Sequence, residues 1–182
     1  SLQPSGFETG KHTFYQIHRV VDGDTFWFIN GKGEKEKIRF IGIDAPEARN
    51  YGKKTKQYFG RESELFLVEY LKGKKVRLEY DVQKYDQYGR TLAYVFMEDG
   101  TFLNEHIVRC GFAVTSTYPP NVKYLTRFLK GERHARACAN GPLAVRAGGH
   151  PLARLPSGAC SPPQPGDAGP FRHLQPPAVH LR

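Results

Sequence analysis

No apolar run in this sequence approaches the eighteen or so residues that a membrane-spanning helix needs, and no charged-then-apolar segment of the secretory kind opens it. A soluble protein is expected. Cysteine is scarce: Cys110, Cys138 and Cys160 cannot all pair internally and show no zinc-ligand spacing, so neither a disulfide scaffold nor a structural zinc site is expected. His134 and Cys138 stand one helical turn apart, but two ligands do not make a zinc site, and a solvated helix face accounts for them. Acidic residues are in deficit, 18 Asp and Glu against 27 Lys and Arg, for a formal charge of +9. That field draws polyanions, whether nucleic acid or an anionic membrane surface.

What is present is an ordinary globular composition, 39% apolar and 25% charged, in a length of 182 residues that suits one domain with a real core. The last 38 residues, Val145 to Arg182, differ: they hold eight of the thirteen prolines and lack Lys, Ile and Tyr. Too little bulky apolar surface is left there to offset chain entropy. A folded domain over 1–144 and a disordered Pro/Gly/Ala/Arg-rich tail over 145–182 are therefore predicted. The tail carries four Arg and one Asp, which leaves +6 on the domain itself.

Within the domain, His12 to Val21, Thr25 to Ile29 and Lys37 to Ile43 are apolar, β-prone runs separated by Gly and Asp/Asn punctuation, with NGKGEKEK as a hairpin loop. They predict three antiparallel strands. Phe59, Leu65, Phe66, Val68 and Leu71 then recur at near-helical spacing in a segment that stops at Gly73. Strands are predicted at Lys75 to Tyr80 and Thr91 to Phe96, and a short helix in FLNEHIVRCGFA with Leu103 and Ile107 inward and Gly111 as its stop. A last helix is expected from about Asn121 to Asn140, carrying Tyr124, Leu125, Phe128 and Leu129, with Gly131 a weak point. The fold class is thus α+β, mainly β: a five-stranded OB-type barrel packed against about three helices.

Four segments carry the chemistry: VDGDT, IRFIGIDAPE, YGKKTK and YDQYGRTLAY, each beginning or ending at a predicted strand edge. Alternation along KIRFIGI places Arg39 on the face of Ile41 and Ile43, where a guanidinium is costly unless paired, and a structural ion pair is its plainest account. DAPE and YGR, taken singly, are turns. Taken together they supply three carboxylates and two arginines at the rim of a small basic barrel. Paired aspartates, a backbone carbonyl and water suit a hard divalent cation such as calcium, a third carboxylate can act on water, and guanidinium groups stabilise charge on a phosphate.

The order DGDT, R-x-x-x-I-D-x-P-E, Y-G-R-x-L-A-Y and LNEHIVRCGFA closely resembles the staphylococcal nuclease (thermonuclease) family, over about Phe14 to Ala144. The resemblance implies a calcium-dependent nuclease that hydrolyses phosphodiester bonds of DNA and RNA with little sequence specificity. By it, Asp24, Asp44 and the Ala45 carbonyl hold calcium, with Asp22 close by but not a ligand. Glu47 acts on the attacking water, and Arg39 and Arg90 grip the phosphate. Tyr88 lies beside the terminal phosphate, and Lys53, Lys54, Lys84 and Tyr118 are further candidates for substrate binding. Ala45 stands where the family archetype has threonine, Gln87 where lysine is common, VTSTYPPN lacks the archetype's base-contacting tyrosines, and NGPLA replaces its closing tryptophan. Expected partners are DNA and RNA, single strands preferred, with a monomer as the acting form. Export is also expected, with no signal segment in the chain. The alternative from another class is a nucleic-acid-binding module of the same fold without catalysis. A membrane role ranks third, because the GKKTK lysines sit in a loop and not on an amphipathic helix.

Overall fold

The computed structural model describes residues 12–47 and 60–137. The chain enters through β1 (Tyr15–Asp22), β2 (Thr25–Ile29) and β3 (Lys35–Phe40), an antiparallel meander. After the short β4 (Ile43–Asp44) come α1 (Gly60–Leu71), β5 (Lys75–Glu79), β6 (Thr91–Met97), α2 (Leu103–Arg109), β7 (Val114–Thr115) and α3 (Leu125–Ala137). A closed barrel forms in the order β1-β2-β3-β6-β5, in which β3 and β6 pair in parallel. This is the expected five-stranded barrel with three helices.

Alternation within the strands divides the apolar residues between two layers. Phe26, Phe28, Ile38, Phe40, Val76, Ala93 and Val95 are buried, and the register puts Ile38 and Phe40 beside Thr91 and Ala93 on the inner face. Tyr94, on the opposite face of β6, meets Phe102, Tyr124 and Phe128 from the helical side. Asn104, fully buried on α2, donates to the Ile41 carbonyl and accepts the Val95 N–H, both at 2.9 Å. One amide thus ties the helix to β6 and to the turn after β3, and satisfies backbone groups that burial would otherwise leave orphaned.

Several local expectations are corrected. The alternation assumed through Ile43 breaks after Phe40: Gly42 adopts φ +79° and the ring of Phe128 lies where its Cβ would be. Ile41 and Ile43 are both buried while Arg39 is not, and Ile43–Asp44 leave the barrel to pair with β7. On α1 the inward face is Gly60, Ser63, Glu64, Leu67, Tyr70 and Leu71, whereas Leu65, 46% exposed, and Val68 point out. The reason is steric. A Cβ on Gly23 would stand 2.8 Å from the Cβ atoms of both Ser63 and Ala45, so α1 crosses the β1–β2 turn on small residues that a hydrophobicity pattern overlooks. The last helix starts at Leu125 and not Asn121, because the buried Asn121 side chain is engaged with the backbone of Gln83. Gly131 is no weak point, since it lets α3 approach α2 with the Arg109 Cγ only 3.0 Å from a would-be Cβ. Phe59, the end of that helix near Asn140 and the tail lie outside the described residues.

Candidate active site

The tight turn between β1 and β2 drives Asp24 inward, leaving it 6% exposed at the start of β2. A buried carboxylate needs donors, and this one has three. The Thr25 hydroxyl donates to Oδ1 at 2.9 Å, the Ala45 N–H donates to Oδ2 at 2.6 Å, and the Arg39 guanidinium lies 3.4 Å from Oδ2. Arg39, on the outer face of β3 opposite Thr25, uses the same Nη2 to reach Asp44 Oδ1 at 2.9 Å. Its Nη1 donates to the carbonyls of Phe40 and Ile43. The guanidinium therefore holds both aspartates beside one nitrogen and staples the β3–β4 bend. The structural ion pair expected of Arg39 exists, and it gathers the same residues that the motif comparison singles out.

Asp44 is held in place by the β4–β7 pairing, Asp44 opposite Val114, yet its side chain is 55% exposed. Glu47, half-buried, follows three residues later. Arg39 and Asp44 line a cleft of about 570 Å³ together with Asp86, Gln87, Tyr88 and Arg90, and with Ser116, Tyr118 and Asn121. Asp24, Ala45 and Glu47 do not line the cleft surface.

Arg90 is aimed by Asp86. One carboxylate oxygen accepts the backbone N–H groups of Tyr88 and Arg90 at 2.9 Å, and the other takes Arg90 Nε at 2.6 Å. Burial alone would raise the Asp86 pKa, but these donors and the guanidinium charge together hold it below the usual carboxylate range. Gly89 closes the turn at φ +74°. Sequence reading missed Asp86 and Asn121. The signal for Asp86 is its place four residues before Arg90, whereas nothing local marks Asn121, whose amide pairs with both backbone groups of Gln83 at 2.8 Å.

Tyr88 and Tyr118, 74% and 75% exposed, stand on the cleft walls, and Arg90 lies 5.4 Å from the centre of the Tyr88 ring. Lys84 is not brought to the cleft. Its ammonium sits over the rings of Tyr80 and Tyr85 at 4.6 and 5.5 Å. Lys53 and Lys54 fall outside the described residues.

Residues 37–141, which include every residue lining this cleft, match the family model described as Staphylococcal nuclease homologue. The thermonuclease of Staphylococcus hyicus is 37% identical over 135 residues, covering 74% of this chain and 78% of its own. The chain belongs to the staphylococcal nuclease family. A second thermonuclease, from Staphylococcus intermedius, is 38% identical over 122 residues, covering 67% of this chain and 71% of its own. Endonuclease YncB of Bacillus subtilis is 33% identical over 123 residues, 66% of this chain and 57% of its own. Among the described residues, no helix is long and apolar enough to cross a membrane.

Proposed function

We propose that the protein is a calcium-dependent nuclease that acts as a monomer on phosphodiester bonds of DNA and RNA, with little sequence preference and a preference for single strands. The observation that carries this reading is Arg39, which holds Asp24 and Asp44 and lines, with Asp44 and Arg90, a single cleft. The donor set suits a hard cation: Asp24 and Asp44 offer carboxylate oxygens and Ala45 a carbonyl, with no soft ligand among them. Asp24 Oδ2 is engaged by the Ala45 N–H and the Arg39 guanidinium, whereas Oδ1 accepts only the Thr25 hydroxyl among these and keeps a further lone pair for a cation. Among the described residues no group of three or more His, Cys, Asp or Glu side chains could hold a metal ion, so backbone and water would complete the shell. Bound there, calcium would supply Lewis-acid polarisation of the phosphoryl oxygen.

The chain's own residues do the rest. Glu47 orients water and takes its proton as the new phosphorus–oxygen bond forms, while the ester bond to the leaving sugar oxygen breaks and that oxygen is protonated from solvent. Arg39 and Arg90, charged at every working pH and able to donate in a fork, meet the extra negative charge on the phosphoryl oxygens from two sides. Tyr88 and Tyr118 offer ring faces to unpaired bases, which any base can use. Lys53, Lys54 and Lys84 add to the positive charge that draws the polyanion. The decisive experiment is release of acid-soluble nucleotides from single-stranded DNA with calcium or with excess chelator. Calcium-supported release that chelator abolishes is the expected result, and equal release under both conditions would overturn the metal assignment.

A further inference from the structure

The barrel face that carries Arg39 continues past it. Alternation along β3 puts Lys37 and Lys35 on the Arg39 face, and along β2 puts Trp27 on the Thr25 face. The register sets Trp27 directly opposite Lys37 on one side and Arg19 on the other. Lys37 Nζ lies 5.3 Å from the centre of the indole, Arg19 is exposed, and Trp27 and Lys37 are half-exposed. The adjacent acid does not neutralise them: Glu36 turns the other way, accepting the Thr91 hydroxyl at 2.5 Å and the Asn30 amide at 3.4 Å.

An indole between two cations is a costly thing to leave on a barrel exterior if its only use is a surface cation–π contact, which contributes little where water competes. Its two flanking residues in β2, Phe26 and Phe28, are both buried in the barrel. The neighbouring Lys84–Tyr80–Tyr85 cluster lies off the cleft, whereas Trp27 lies on the face that leads from it.

We propose that Trp27, with Lys37 and Arg19, is a stacking subsite for a nucleotide that flanks the scissile bond of a single-stranded substrate. This rests on the nuclease reading above and extends it from the reacting phosphate to the strand beyond. Two residues along a strand advance about 6.6 Å, comparable to the through-space spacing of successive phosphates on an extended, unstacked single strand. A phosphate at Arg39 therefore brings its neighbour near Lys37, and an unstacked base of that strand can lie on the indole opposite Lys37. Stacking of this kind is indifferent to base identity, and the cations meet phosphates, so the subsite adds affinity for single strands without adding sequence preference.

Trp27 is the only tryptophan in the chain, which makes its emission a reporter for this face alone. The test compares a thymidine octanucleotide with a thymidine dinucleotide on the full chain. Under chelator, the octamer is expected to quench Trp27 emission and the dinucleotide to leave it unchanged. With calcium, Trp27→Ala should raise KM for the octamer about 5- to 10-fold with kcat unchanged, and leave dinucleotide cleavage as in the parent. Trp27→Phe should keep most of the octamer affinity, which separates stacking from a folding defect, and Lys37→Gln should raise KM and flatten its salt dependence. Octamer cleavage by the parent protein with unchanged Trp27 emission and an unchanged KM in Trp27→Ala overturns the subsite and leaves the nuclease reading standing. Failure of the parent protein to cleave or bind the octamer overturns both.

Discussion

The backbone N–H of Ala45 donates to the buried carboxylate of Asp24 at 2.6 Å, joining the β1–β2 turn to the DAPE segment across 21 positions of sequence. The same oxygen is 3.4 Å from Arg39. Asp24 is thus both a candidate calcium ligand and the acceptor that holds its fellow ligand segment in place. Asp24→Ala would remove a buried charge partner from Arg39 and orphan a buried N–H, with an expected cost of about 3–5 kcal/mol. Asp24→Asn keeps an acceptor and should cost about 1–3 kcal/mol. Urea denaturation checks the order, and calcium titration by calorimetry should show binding weakened in both variants.

Chemistry and binding should separate by residue. Glu47→Gln is expected to lower kcat on single-stranded DNA by about 10²- to 10⁴-fold with little change in KM. Arg90→Ala should cost about 10²- to 10³-fold. Parental turnover in well-folded Glu47→Gln protein would remove Glu47 from the reaction.

Asp86→Asn tests positioning. Asn can still accept the two backbone N–H groups but loses the charge opposite Arg90 Nε, so the turn should survive while the guanidinium loosens. We expect kcat to fall about 10-fold, less than for Arg90→Ala, and the Arg90→Ala, Asp86→Asn double variant to lose no more than Arg90→Ala alone. Additive losses would show that Asp86 acts independently of Arg90.

His106 predicts acid lability. Burial first, then the charges of Arg109 and Lys74, opposed by Asp99, lower its pKa from 6.5 to about 4 in the fold, where its ring packs near Phe66 and Tyr70. The unfolded chain therefore binds the extra proton as pH falls from about 6.5 to 4, and stability drops through that window. The loss is up to about 3 kcal/mol, less whatever share residual exposure screens. Urea midpoints at pH 7 and 4.5 should differ much less in His106→Gln than in the parent. Asp86, whose folded pKa is depressed, adds a separate loss only below the ordinary carboxylate pKa of about 3.9.

Two glycines of like φ should respond differently to alanine. Gly42, at φ +79°, would drive a Cβ to 2.3 Å from the Phe128 ring, which is buried and has nowhere to go. Gly33, also at φ +79°, has nothing within 4 Å. Gly42→Ala is expected to cost about 2–5 kcal/mol, combining overpacking with left-handed strain, and Gly33→Ala about 1–2 kcal/mol from strain alone. Thermal denaturation ranks them.

The amino-acid sequence by itself carried the strands, the barrel class and the candidate residues of the site, because alternation, turn chemistry and short motifs are local. Asp24, Arg39, Asp44, Tyr88 and Arg90 were legible in DGDT, RFIGID and YGR, and the fold places Arg39, Asp44, Tyr88 and Arg90 on the walls of one cleft with Asp24 against Arg39. Tertiary structure alone decided the rest. The inward face of α1 depends on a turn it crosses, so Leu65 and Val68 face water while Ser63 is buried. The break after Phe40 depends on Phe128, some ninety residues away, and the place of Asn121 in the cleft lining depends on its reaching back to Gln83. The parallel pairing of β3 with β6 follows from barrel closure, and β4 pairs with β7 in a separate two-stranded sheet; no single segment encodes either. Long-range sterics and long-range hydrogen bonds leave no periodic trace in the segments they join, which is why local motifs marked candidate residues but not the scaffold that holds them.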